Sequence, residues 1–121
     1  MKTENNTPTK EYRFKITKRD VNNKKQLLPY ILYNTMETTA MESLAPIRDS
    51  LETDINLFKL HLLKNAQLND ELIITHKVER FNNKEIILNI LVYKNQEDHL
   101  ETICNATFGY LIKNQNLELA S

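Results

Sequence analysis

Hydrophobic residues change their spacing along the chain. Over residues 11–17 apolar and polar side chains alternate, which predicts a half-buried strand. Over residues 27–44 the apolar side chains follow the spacing of a helix and cover nearly every side of its first half, which predicts that the helix is buried. Pro29 is tolerated in a first helical turn, and Ala45 before Pro46 ends the helix. The chain therefore opens with one strand and one long helix.

The rest of the chain predicts strands in meander-like succession. Apolar stretches with largely alternating faces occur at residues 54–63, 71–81, 84–94 and 99–113. Asn69-Asp70 predicts a turn, and Asn82-Asn83 predicts a tight hairpin turn because asparagine tolerates the positive φ that such turns require. Gly109, inside the last strand, predicts a bulge or a close backbone approach.

These elements predict one α+β domain. A single helix and a single antiparallel sheet must cover each other, so we expect one long buried helix across the concave face of a five-stranded antiparallel sheet. The chain has 121 residues and 40% apolar content, which fit one core over residues 11–113. The polar ends, residues 1–10 and 114–121, are expected to be flexible tails.

Charge excludes several partners. Sixteen basic residues balance sixteen acidic ones without a basic cluster, so we expect no nucleic acid and no membrane as partner. No apolar stretch is long enough to span a bilayer, and the polar N-terminus lacks the apolar core of a signal peptide. We therefore expect a cytoplasmic protein.

Residue usage also excludes several kinds of site. Cys104 is the single cysteine, so an internal disulfide is impossible, and Gly109 is the single glycine, so glycine-rich phosphate loops are excluded. The three histidines do not have the spacing of metal ligands. We therefore predict no metal and no resident cofactor.

Glu37 is the candidate that the helix itself suggests. Setting successive residues 100° apart places Tyr30, Tyr33 and Met41 around this carboxylate, near the middle of the predicted apolar stripe. Such a position is unfavourable for a charge. A carboxylate held there can act as a nucleophile or remove a proton from water.

Three segments resemble a known family. FKITKRDVNN, NTMETTA and LKNAQLNDELIITHKVERF, in the predicted order of elements, are similar to the hotdog-fold acyl-CoA thioesterases of the 4-hydroxybenzoyl-CoA thioesterase type. The resemblance implies the hotdog fold and a homodimer, possibly a tetramer, in which strand 54–63 pairs with its symmetry mate. It also implies an acyl site between one helix and the partner copy, with acyl-CoA or an acyl-carrier protein as substrate.

The resemblance also suggests site residues. Glu37 looks like the catalytic helix glutamate of one subfamily, and Asp20 like the catalytic loop aspartate of another. Asn22 resembles part of a His-x-Asn-Asn stretch whose histidine is missing here. The remaining predicted substrate-binding residues are Tyr30, Tyr33, Thr38 and His61.

Two further functions fit the same fold. One is a 3-hydroxyacyl dehydratase or hydratase, although the histidine in a proline-glycine context that such enzymes pair with a helix carboxylate is absent. The other is a non-catalytic protein that binds an acyl thioester. It could equally bind a protein partner, and the missing His-x-Asn-Asn histidine and the scarcity of glycine keep this last alternative open.

Overall fold

A computed structural model describes residues 11–113 of the protein, with the backbone alone described at 53–55. The predicted tails, residues 1–10 and 114–121, lie outside this range. The regular elements are β1 (Tyr12–Lys15), α1 (Pro29–Ser43), β2 (Leu51–Leu62), β3 (Glu71–Phe81), β4 (Glu85–Asn95) and β5 (Leu100–Ile112). Two short 3-10 helices, Lys18–Asp20 and Ala45–Ser50, flank the segment that contains α1. None of the helices in the described range is long and apolar enough to cross a membrane.

The five strands form one antiparallel sheet in the order β1-β3-β4-β5-β2. Strands β3 to β5 are neighbours in chain order, as the meander-like succession predicts. The prediction is wrong for β2, which pairs with β5 at the far edge of the sheet rather than with β3. The physical reason is that β1 and β2, which α1 connects, lie at opposite edges of the sheet that this helix must cover.

The helix packs on the sheet through one stripe. Leu32, Met36 and Ala40, spaced four residues apart, are buried, and the Met36 sulfur lies 3.8 Å from the Cys104 sulfur on β5. The first half is not covered on every side within one chain, contrary to expectation, because Tyr30 is 60% exposed. A sheet has only one concave face, and it covers one side of the helix.

Two asparagine turns were predicted, and the structure confirms the position of each. Asn69 has φ of 76°, as a turn residue in the left-handed region does. Asn82 does not have positive φ, so that part of the prediction is wrong. Its side-chain oxygen instead accepts hydrogen bonds from the N–H groups of Lys84 and Glu85, 2.8 and 3.0 Å away, and these bonds close the hairpin.

Gly109 is a point of close approach, as predicted, but the group that approaches its backbone is a side chain rather than another backbone segment. The pairing of β2 with β5 shifts register between Leu57 and Lys59, which leaves Phe58 as the extra residue of a bulge. The Phe58 ring lies over Gly109, where a Cβ atom would collide with it. Because Gly109 has no side chain, the Phe58 ring can lie directly against its backbone.

Candidate functional site

The predicted site residues fall into three places. Asp20 and Asn22 lie in the connection before α1; Tyr30, Tyr33, Glu37 and Thr38 lie on α1; and His61 lies on β2. Glu37 is eight residues into a helix that starts at Pro29, about 12 Å along its axis. The two candidate carboxylates thus belong to separate parts of the fold.

Asp20 is buried, and one of its carboxylate oxygens is hydrogen-bonded within its own loop. Its Oδ2 atom accepts hydrogen bonds from the backbone N–H of Thr17 at 2.8 Å and from the Thr17 hydroxyl at 2.9 Å. Its backbone carbonyl accepts a bond from the N–H of Leu28, at 2.9 Å, just before α1 begins. This arrangement closes a capping box and ties the loop to the start of the helix.

Asn22 has a similar local role. Its side-chain oxygen accepts hydrogen bonds from the N–H groups of Lys24 and Gln26, both at 2.9 Å, and the side chain is exposed. Lys25, between these donors, has φ of 66°, so the asparagine closes a turn that the backbone alone does not favour. Within the described residues, the polar side chains of this connection mainly form hydrogen bonds that stabilise its own turns.

Glu37 lies at the border of the buried stripe rather than near its middle. Met36 has no exposed surface, and Glu37, 100° further around the helix, is only partly buried. The prediction of a central position was wrong because Tyr30 was counted as a stripe residue, although it is mostly exposed, and because the fully buried residues lie on the side that carries Met36. Met41 is only partly buried against the core. The carboxylate therefore has room to meet a ligand.

Two tyrosines accompany Glu37. Tyr33 precedes it by one helical turn, and the Tyr33 ring packs on Phe108 with centroids 5.8 Å apart and planes tilted by 55°. Tyr110 lies two residues beyond Phe108 on β5 and therefore on the same face of the sheet, towards α1. It is 2% exposed, and its buried hydroxyl has no hydrogen-bond partner among the described residues.

Electrostatics link these three residues, which we call the tyrosine–carboxylate cluster. Burial raises the pKa of the Tyr110 hydroxyl, and the charge of Glu37 and then Tyr33 raise it further. Burial and, secondarily, Glu37 also raise the pKa of Tyr33. Both phenols are thereby held in the neutral form, which donates a hydrogen bond. Within the described residues, none of the three side chains forms a hydrogen bond.

Sequence reasoning found Tyr33 and Glu37 but missed Tyr110. A tyrosine in an alternating strand is typical of an ordinary core position. Only the three-dimensional structure shows that its hydroxyl is buried without a hydrogen-bond partner among the described residues.

The other predicted residues do not join the cluster. Tyr30 is two turns before Glu37 on the same flank and is mostly exposed. Thr38 is exposed and lines a shallow groove with Tyr12 and Arg13 of β1, on the other flank. His61 is paired with Asn105, which alternates with the helix-facing Cys104, so His61 lies on the face of the sheet away from α1.

One half of the concave face beside the cluster is uncovered. Helix α1 packs over β3 and β4, whereas three leucines of β2 face the same side with 40–50% of their surface exposed. Their partners on β5 are helix-facing residues, since Leu57, Leu60 and Leu62 pair with Phe108, Ala106 and Cys104. We call these three leucines the β2 leucine row. The row lies at an open edge of the sheet, next to Phe108, whose ring contacts Tyr33.

No protein-family description matches the chain, and neither does any curated protein. Solved structures do match it. A hexameric thioesterase from Yersinia pestis superposes with a TM-score of 0.73 at 14% identity, over 93% of each chain. A hypothetical thioesterase from Streptococcus pneumoniae, solved with coenzyme A, gives 0.68 at 18% identity, over 86% of this chain and 77% of the other.

A third similar structure is an acyl-CoA hydrolase from Staphylococcus aureus in complex with butyryl coenzyme A, coenzyme A and coenzyme A disulfide. It has a TM-score of 0.72 at 8% identity, over 89% of this chain and 67% of the other. The curled antiparallel sheet with its single long helix is the hotdog fold that these structures share with the present chain. The predicted α+β hotdog architecture is confirmed.

Proposed function

We propose that this protein hydrolyses acyl-CoA thioesters and that Glu37 is its principal catalytic carboxylate. The observation that carries the proposal is a partly buried carboxylate that accepts no hydrogen bond in the described chain, one helical turn from Tyr33, on a helix that leaves half of the concave face uncovered. The fold supports it, because the similar structures include a thioesterase and an acyl-CoA hydrolase.

Two routes of hydrolysis are open to Glu37. In one, a carboxylate oxygen adds to the thioester carbon, the thiolate leaves, and water then cleaves the resulting anhydride. In the other, the carboxylate removes a proton from a water molecule as that water adds to the same carbon. Both routes release one acid and one free thiol, so a thiol assay measures either of them.

Asp20 is the second candidate of the proposal. Its hydrogen bonds with Thr17 support a role in holding the loop and the start of α1. A carboxylate that already accepts two hydrogen bonds must give them up or share them to attack a thioester, which weakens it as a nucleophile. We therefore rank Glu37 above Asp20.

We also propose that two copies pair through β2. This strand has 12 residues at an open edge, and the β2 leucine row leaves apolar surface exposed next to it. Long unprotected edges with apolar side chains pair readily with another strand. Such a pair continues the sheet from one chain into the next. The second chain would then help to enclose the acyl group on the uncovered half of the concave face.

The first test is release of free thiol from short, long and aromatic acyl-CoAs by the wild type and by Glu37→Gln. We expect turnover of at least one substrate, and a loss of about 100-fold or more in the variant. Glu42→Gln is the matched control, because Glu42 is an exposed carboxylate on the same helix. Full turnover by Glu37→Gln would contradict the assignment, and no turnover by the wild type would contradict hydrolysis of these CoA esters.

A further inference from the structure

The neutral total of the chain conceals an uneven distribution of charge. Residues 15–25 contain five basic side chains and a single acidic one, that of Asp20. All five basic side chains are exposed, and within the described residues none of them forms an ion pair. We call these five the basic cluster: Lys15, Lys18, Arg19, Lys24 and Lys25. The expectation that the chain has no basic cluster is therefore wrong for this segment.

The backbone that carries the basic cluster is held by hydrogen bonds. Asp20 closes the capping box with Thr17, and the carbonyl of Lys25 accepts a bond of 2.9 Å from the N–H of Leu68. Lys25 has φ of 66°, a conformation that favours glycine or asparagine over lysine. Such strained residues occur often at binding sites. The charge of Lys25 is thus kept at a position where the backbone favours another residue.

The basic cluster lies at one end of the helix that carries Glu37. The N–H of Leu28 donates to the Asp20 carbonyl just before α1 begins, and Glu37 is about 12 Å further along the helix axis. In coenzyme A the pantetheine arm separates the sulfur from the phosphates by about 15 Å, the length of four or five extended residues. A thioester at Glu37 therefore has its phosphates within reach of the basic cluster. The segment after Glu37, residues 38–50, is net acidic instead.

We propose that the basic cluster binds the phosphate groups of the coenzyme A moiety of the substrate. This inference rests on the proposed function, because it concerns the carrier of the acyl group at the same site. Lysine and arginine side chains bind phosphate oxygens through charge-assisted hydrogen bonds. The chain outside residues 15–25 is net acidic, so it repels a larger polyanion such as nucleic acid or an acidic carrier protein. The few phosphates of one coenzyme A match the small size of the cluster.

Two thioesters of the same acyl group isolate this contact. One is the CoA ester that the wild type hydrolyses best, and the other is the pantetheine ester, which has the same thioester and no phosphate. KM and kcat for both are measured with Lys18→Gln/Arg19→Gln and with Lys24→Gln/Lys25→Asn. Asparagine is chosen at position 25 because it tolerates the left-handed backbone conformation.

We expect each double variant to raise KM for the CoA ester about fivefold, with kcat unchanged, because the lost contacts bind substrate and transition state equally. Both constants for the pantetheine ester should stay at the wild-type values. Lys77→Gln/Lys84→Gln is the matched control and should change neither ester, since it removes two exposed charges from β3 and the turn that follows it.

Three outcomes would overturn the inference. An unchanged KM for the CoA ester, or an equal change for both esters, would do so and leave the proposed function standing. A loss of turnover in the double variants with an acyl-carrier-protein ester but not with the CoA ester would assign the cluster to an acidic protein instead. If the wild type hydrolyses no CoA ester, the proposed function fails and this inference fails with it.

Discussion

The two candidate carboxylates of this chain have opposite surroundings. Asp20 is 8% exposed and accepts two hydrogen bonds from Thr17 within its own loop. Glu37 is partly exposed and, within the described chain, accepts none, although its charge helps to raise the pKa of Tyr33 and of Tyr110. The chain itself supplies two hydrogen-bond donors to the Asp20 carboxylate, whereas within the described residues it supplies none to that of Glu37.

This difference distinguishes a structural carboxylate from a reactive one. Hydrogen bonds that are already formed in the folded chain contribute to stability, and chemistry at that group must first break them. A carboxylate without such bonds adds little to stability, but its lone pairs are available to substrate or water. The comparison predicts that changes at Asp20 affect folding and changes at Glu37 affect turnover.

The largest expected effect comes from the open sheet edge at β2. Leu60→Lys places a charge in the middle of the β2 leucine row, and lysine on an edge strand opposes pairing with another copy. We expect the variant to sediment as a single chain and its thiol release to fall to that of Glu37→Gln. Leu111→Lys is the control, because Leu111 is equally exposed but lies on β5. A monomeric Leu60→Lys with full activity would show that the chain completes the Glu37 site alone.

A smaller effect is expected from Asp20, the carboxylate that already accepts hydrogen bonds. Asp20→Ala removes the acceptor of both Thr17 bonds, and loss of a helix cap of this kind lowers the free energy of unfolding by about 1–2 kcal/mol. Urea unfolding measures this loss. Glu37→Gln is the matched comparison and should change stability by less than about 0.5 kcal/mol. Equal losses in the two variants would remove the distinction between the carboxylates.

The smallest effect is a pH dependence at the cluster. Burial and the Glu37 charge raise the pKa of Tyr110 above its ordinary value, so the unfolded chain loses this proton first as the pH rises. Ionisation then favours the unfolded chain, and stability falls above the unfolded pKa of about 10. Between pH 10 and 11 the wild type should lose about 1 kcal/mol more stability than Tyr110→Phe, as measured by urea unfolding at each pH. Parallel pH profiles for the two proteins would contradict a buried, neutral Tyr110.

Local patterns predicted most of the fold. The strand predicted over residues 71–81 has the bounds of β3, and the helix predicted over 27–44 contains α1, because side-chain periodicity follows directly from backbone geometry. The position of β2 beside β5 was not predictable in this way. It depends on pairing between strands that are distant in the chain and on the route that α1 takes across the sheet.

The site was predictable only in part. Glu37 stood out because a charge among helical apolar residues is unusual, yet its place at the border of the stripe depends on which side the sheet covers. The unpaired hydroxyl of Tyr110 has no signature in the sequence, since it results from the contacts of β5 with α1. Whether Glu37 and Asp20 act on a thioester stays a prediction.

One measurement tests the central claim most directly. Thiol release from the best acyl-CoA substrate is followed for Glu37→Gln and Asp20→Asn, each confirmed to be folded and to have the assembly of the wild type. Glutamine and asparagine keep an acceptor oxygen, so both variants can preserve the local structure. We predict that Glu37→Gln abolishes turnover and that Asp20→Asn retains most of it. Turnover retained in Glu37→Gln and lost in Asp20→Asn would reverse the assignment and contradict the interpretation given to the open carboxylate.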